Sequence, residues 1–238
     1  MGAAVALVIT TTASLLSATT GSAGAGAPSN LPTGQGVVLN APVVGVAATP
    51  DGGGYWMVGS DGGIFAFGDA AFYGSAASLR LTKPIVAIAA TPDGHGYWEV
   101  ASDGGVFAFG DAPYFGSASG LSPGSPIVGL AAAPGGFGYW EAAANGAVYA
   151  FGLATYDGGS PGQTTVAIGS AGNGYRLLLS NGGVYTFGGA SFLGSAGAVP
   201  LTKPMIGLAS SSNGYLALSA DAGIFAYGSD GFFGSLAG

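Results

Sequence analysis

Residues 84–117 read PIVAIAATPDGHGYWEVASDGGVFAFGDAPYFGS, and the same line returns along the chain. From Pro42 it reads PVVGVAATPDGGGYWMVGSDGGIFAFGDAAFYGS, and from Pro126 PIVGLAAAPGGFGYWEAAANGAVYAFGLATYDGG. Looser copies begin at Thr164 (TTVAIGSAGNGYRLLLSNGGVYTFGGASFLGS) and Pro204 (PMIGLASSSNGYLALSADAGIFAYGSDGFFGS). The starts are 42, 42, 38 and 40 residues apart, and Tyr55, Tyr97, Tyr139, Tyr175 and Tyr215 keep register inside them. A fixed period of this length over five copies marks a repeat architecture.

Each copy holds four short apolar runs, in the second copy 85–91, 97–102, 106–109 and 114–117. Gly, Pro, Asp and Asn separate them, which is strand punctuation. Ser-Asp-Gly-Gly at 60–63 and 102–105, with Asn145-Gly146 and Asn181-Gly182 in register, supplies the positive-φ residues of a tight hairpin. Thr-Pro-Asp-Gly at 49–52 and 91–94 reads as a turn with Pro fixing φ at its second position. Both faces of the Val106-Phe107-Ala108-Phe109 run are apolar, as in a sheet covered on both sides. No sustained 3.6-residue period occurs in the repeats. The sequence therefore predicts an all-β fold, a five-bladed β-propeller of four-stranded antiparallel blades, with the Gly/Ala-rich first strands lining the axis. An open β-solenoid is the competing arrangement, but the last copy ends at Gly238 without a distinct cap. The aromatic hairpin repeats of choline-binding proteins have half this period.

The predicted organisation is a signal peptide over 1–25, a flexible lead-in over 26–41 and the propeller over 42–238. Its blades are 42–83, 84–125, 126–163, 164–203 and 204–238. The first charge is Asp51. Residues 2–18 are apolar, and Ala23-Gly24-Ala25 offers small residues for cleavage, although no basic segment precedes the apolar core. The run is short and Thr-rich for a membrane span. These features point to a secreted or envelope-associated chain with no stable span after cleavage.

Charged residues are 6% of the chain, 11 acidic against 4 basic, so nucleic acid is a poor partner. With no cysteine and one histidine, His95, the chain has no disulfide scaffold, thiolate metal site or cysteine nucleophile. No cofactor, metal site or catalytic residue is predicted. His95 reads as a substitution in an exposed turn, and the Asp-Gly-Gly runs offer too few oxygens per turn for a calcium loop.

The line quoted above resembles a repeat of secreted proteins from high-GC Gram-positive bacteria, strongly in the first two copies and more loosely in the rest. The resemblance implies an extracellular module that accompanies cell-wall peptidase or amidase domains, with no activity of its own. Blade count and size are similar to those of five-bladed lectin-like propellers. The expected function is thus a monomeric, non-catalytic binding module for a cell-wall glycan or an envelope protein. A structural spacer is the alternative, and a glycosidase-like enzyme the third reading. The candidate binding residues are Trp56, Trp98 and Trp140, with Tyr97, Glu99 and Glu141 beside them. The chain's tryptophans and glutamates all fall in the first three copies. An exposed indole stacks on a sugar ring, and a nearby carboxylate accepts its hydroxyls. The competing role is packing, because adjacent Tyr and Trp on one strand face opposite sides. Two carboxylates at suitable separation would also serve glycoside hydrolysis. Exposure of the indoles decides between stacking and packing.

Overall fold

The computed structural model describes residues 39–236 and the short strand β1 (Ala6–Val8). Apart from Ala6–Val8 and residues 39–41, the predicted signal peptide and lead-in lie outside the described residues. Each repeat folds into one antiparallel sheet, and its first strand begins one residue after the repeat start. The first sheet is β2 (Val43–Ala48), β3 (Gly54–Gly59) and β4 (Ile64–Gly68). The second is β5 (Ile85–Ala90), β6 (Gly96–Ala101) and β7 (Val106–Gly110). The third is β8 (Ile127–Ala132), β9 (Gly138–Ala143) and β10 (Val148–Gly152). The fourth is β11 (Thr165–Ala171), β12 (Gly174–Leu179) and β13 (Val184–Phe187). The fifth is β14 (Met205–Ser210), β15 (Gly214–Ser219) and β16 (Ile224–Gly228). Among the described residues the helical content is three short 3-10 turns, so the all-β expectation holds.

The hairpin turns form as their chemistry dictates. Gly62, Gly104, Gly146 and Gly182 all sit near φ +80 to +87. The preceding Asp61, Asp103, Asn145 and Asn181 accept the amide two residues on, at 3.0–3.1 Å. The Thr-Pro-Asp-Gly turns close through Gly52 N–H to Thr49 O and Gly94 N–H to Thr91 O, both 3.0 Å. One shared feature went unread in the sequence. Every first strand carries a register shift, between Val43/Gly45, Ile85/Ala87, Ile127/Gly129, Thr165/Ala167 and Met205/Gly207. The skipped residue is Val44, Val86, Val128, Val166 or Ile206. A bulge here adds twist to the strand through which successive sheets touch.

The sheets stack face to face in chain order, with an apolar core cluster in each of the four gaps between successive sheets. The middle strands β6, β9 and β12 are buried along their whole length. The run that read as apolar on both faces, 106–109, falls in the third strand β7, which is half-buried.

The expectation of four strands per blade is corrected. The fourth runs, such as 114–117 and 232–235, join no ladder. Two physical causes act together. Each run contains a glycine at φ +121 to +133 (Gly74, Gly116, Gly158, Gly194, Gly234), a conformation outside the β region. In the first four runs the polar backbone groups are also taken by side chains of the flanking sheets. Trp56 Nε1 donates to Ala71 O at 2.7 Å, while Tyr97 Oη donates to Gly74 O at 2.5 Å and accepts from Tyr73 N at 3.2 Å. The first sheet alone has a fourth strand, β1, which pairs on the inner edge of β2 through Ala6↔Ala47 and Val8↔Gly45.

The fifth hairpin breaks the glycine rule: Ala222 occupies the tight-turn position at φ +65. A left-handed alanine is strained, so Ala222→Gly should stabilise the protein by about 1 kcal/mol. Thermal unfolding of the two proteins side by side checks this, and an unchanged or lower Tm contradicts it.

Candidate functional site

The six residues singled out as a binding set are all buried. Trp56, Trp98 and Trp140 retain at most 1% exposure. Each indole N–H is spent on a backbone carbonyl: Ala71 O at 2.7 Å, Pro113 O at 2.8 Å and Thr155 O at 2.7 Å. Each indole packs on the tyrosine of the next sheet, with centroids 5.5 Å (Trp56–Tyr97), 5.5 Å (Trp98–Tyr139) and 5.0 Å (Trp140–Tyr175) apart. A ring in this position offers no face to a sugar. The stacking-platform reading of these residues therefore gives way to packing. Tyr97 and Tyr139 are likewise buried, and desolvation pushes both hydroxyls up to about 12.

Glu99 and Glu141 lie in two different gaps. Glu99 Oε1 accepts from Ala76 N at 3.3 Å, and Glu141 Oε1 accepts from Ala118 N at 3.1 Å. The second oxygen of each carboxyl is buried with no partner among the described residues. Burial pushes both groups up to about 8, the amide bond opposes this, and Asp61 or Asp103 adds a smaller push in the same direction. Enclosed and held apart in separate gaps, the two carboxyls do not form an acid–base pair reachable by a glycoside.

The fourth copy replaces Trp with Arg176, and the structure shows why that is tolerated. Arg176 is buried, and its Nε donates to Ser191 O at 3.2 Å, the carbonyl equivalent to Ala71 O. Its Nη1 donates to Ser210 Oγ at 2.8 Å and Ser211 O at 2.7 Å, and its guanidinium lies 4.8 Å from the Tyr215 ring. Arginine thus does the hydrogen bonding of the indole and fills its place over the next tyrosine.

The concave site that remains is one the sequence did not single out. The turns after the first strands of all five repeats meet around one cavity of about 320 Å3. Pro50, Pro92, Pro134, Gly172 and Ser211 each mark one repeat's contribution, and Ser170, Ser210 and Ser212 add hydroxyls. The lining carries no charged and no aromatic side chain. Through Ser210 and Ser211, the buried Arg176 braces one wall. The signal was present as the five turns in register, but Pro50 and Pro92 read as turn chemistry alone.

Beside it, repeats one and two form an acidic groove of about 340 Å3 lined by Asp51, Asp69, Asp93 and His95 among others. Asp93, His95 and Asp111 bring one ligand atom each within 4.8 Å of one another, all on exposed side chains. The Thr91 hydroxyl and the His95 amide hold Asp93 down to about 2. Partial burial and the Asp93 carboxylate raise Asp111. These three are the described residues whose geometry approaches that of a cation site. None of them was among the residues picked from sequence, where His95 read as a turn substitution.

Glu99 and Glu141 also set a pH dependence. Their ordinary value of 4.5 rises to about 8 on folding, so between these pH values the folded protein binds more protons than the unfolded chain. Stability must then fall as pH rises from about 5 to 8, by up to about 1.4 kcal/mol per pH unit for each glutamate. Below this range Asp93, with its lowered value, reverses the trend. Glu99→Gln with Glu141→Gln keeps an acceptor for the Ala76 and Ala118 amides and should flatten the profile, stabilising the protein most at pH 8. Urea unfolding at pH 5 and pH 8 measures this, and equal slopes in the two proteins would refute it.

No protein-family model matches the chain, and no curated protein matches it either.

Proposed function

We propose that the five sheets are the blades of one five-bladed β-propeller, and that this propeller is a non-catalytic binding module outside the bacterial cell membrane. Its ligand is uncharged and hydroxyl-rich, a cell-wall glycan in the first instance, and enters the cavity at the axis. The observation that carries this reading is the convergence of turns from all five repeats on that one cavity. Its volume lies within the roughly 300–1,000 Å3 range of small-molecule sites. Serine hydroxyls pair with sugar hydroxyls, while proline and alanine cover a sugar's C–H faces. A lining without charge gives no purchase to phosphate or to a charged peptide.

The extracellular setting rests on the apolar 2–18 segment, the Ala-Gly-Ala site ending at Ala25 and the resemblance to secreted bacterial repeats. Among the described residues no helix is long and apolar enough to cross a membrane. The buried glutamates favour binding over hydrolysis.

Calorimetric titration with neutral N-acetylglucosamine oligomers, preceded by a glycan array, tests the reading. Ser212 lies exposed at the cavity and beside the Ser211 wall, so Ser212→Trp should fill the opening. The expected outcome is measurable binding by the native protein and a loss of about tenfold or more, near 1.4 kcal/mol, in the variant. Binding that ignores Ser212→Trp places the ligand elsewhere. No binding by the native protein leaves the spacer role.

A further inference from the structure

The four gaps between successive sheets are built to one plan. A tyrosine of the later sheet (Tyr97, Tyr139, Tyr175 or Tyr215) donates its hydroxyl to a glycine carbonyl in the segment before it (Gly74, Gly116, Gly158 or Gly194). All four tyrosines are fully buried. That glycine lies flat against an aromatic ring of the later sheet: a Cβ added to Gly74 would stand 2.7 Å from Phe109, and one on Gly158 would stand 2.8 Å from Phe187. Two residues after the glycine comes a buried small residue, Ala76, Ala118, Ser160 or Ala196.

The two ends of the chain carry the two halves of a fifth such gap, apart from each other. Tyr55 on β3 is 41% exposed, and its hydroxyl has no hydrogen-bond partner among the described residues. It stacks on Phe67 with centroids 5.0 Å apart, as Tyr97 sits on Phe109 at 5.8 Å. At the other end, Phe233 is 97% exposed and Leu236, in the place of Ala76, is 91% exposed. Gly234 holds φ +125, in line with its four counterparts, yet a Cβ built on it meets nothing within 4 Å. The sheet faces agree with this. Tyr55 and Met57 are the incompletely buried positions of β3, and Leu216 and Leu218 those of β15.

We infer that residues 232–236 seat on the Tyr55 face of the first sheet, so that the chain's own end closes the ring. This rests on the propeller reading above. The hydroxyl of Tyr55 donates to the Gly234 carbonyl, and Gly234 lies against Phe67. Leu236 packs beside Met57, which takes the position held by Glu99 and Glu141 in the second and third repeats. The substitutions match across the seam. Leu216 stands where the other sheets have Trp or Arg, Met57 where two of them have Glu, and Leu236 where they have Ala or Ser. This gap is therefore apolar and needs no buried carboxyl. The chain's own end is favoured over a second copy by two observations. Pro50 of the first repeat and Ser211 of the fifth border the same cavity. Strand β1 also lies against both β2 and β14, so the end sheets stand one strand apart at the axis.

The chain has no cysteine, so pairs can be introduced cleanly. In the full chain, Phe67→Cys with Gly234→Cys is treated with a short thiol-to-thiol crosslinker, and Phe109→Cys with Gly74→Cys serves as the internal counterpart. Closure predicts crosslinked monomer from both pairs. Crosslinking of the 74/109 pair alone, or 67/234 products joined only between chains, overturns closure and leaves the stacked sheets standing. Failure of the 74/109 pair overturns the stacking itself, and the inference with it. Should the double variants fold poorly, hydrogen exchange of the native chain and of one ending at Gly231 gives a second measure. Closure predicts faster exchange over residues 54–68 in the shortened chain, and unchanged rates overturn it.

Discussion

The bond from a tyrosine hydroxyl to a glycine carbonyl in the preceding repeat is the constraint on which the rest of the architecture hangs. It joins residues 17–23 apart in sequence, and it occurs wherever one described sheet follows another. A buried phenol needs a partner, and a strand-like segment with a left-handed glycine has carbonyls to give. Each satisfies the other, and the segment is thereby removed from the sheet ladder. The same bond fixes the spacing of the sheets, because the ring above it must fit against the indole or guanidinium of the earlier sheet. Tyrosine is the feature the five copies never lose, while tryptophan yields to arginine and leucine.

That constraint explains both what the sequence made legible and what it hid. Five sheets and their hairpins could be read directly, because Asp-Gly and Asn-Gly turns and two-sided apolar runs are local signals. The fourth run could not be judged locally. Tyr114-Phe115-Gly116-Ser117 has the composition of a strand, and only the position of Tyr139 on another sheet shows that its backbone groups are taken. The tryptophans misled for a related reason. Their clustering in the first three copies suggested a ligand face, whereas each indole is matched to the tyrosine of its successor. Asymmetry among copies reflected different ways of filling the same gap.

Glu99 and Glu141 show how far such a gap can depart from apolar filling. A carboxyl with one oxygen on a backbone amide and the other unpaired is a poor substitute for a hydrocarbon. It survives by staying protonated near neutrality, and its neighbours Asp61 and Asp103 make ionisation harder still. Buried glutamates in a chain with only two of them are a stability cost that a purely apolar gap avoids, as the Leu177 and Ala217 positions of the later repeats do. They nevertheless cap the 3-10 turns at Ala76 and Ala118, where an amide would otherwise be left without an acceptor.

Because the interior is consumed by these gaps, chemistry directed outward has to come from the turns. There the repeats are free to differ, and they do: proline at positions 50, 92 and 134 gives way to Gly172 and to Ser211-Ser212. Fixed strands under variable turns keep the packing independent of the outer surface. Five such turns face one volume, and Arg176 ties the two regions together. Its guanidinium replaces an indole within the core, and the extra donor it brings reaches Ser210 and Ser211 at the cavity wall. The residue that fills the indole's place in the fourth repeat thus also braces the cavity that all five repeats line.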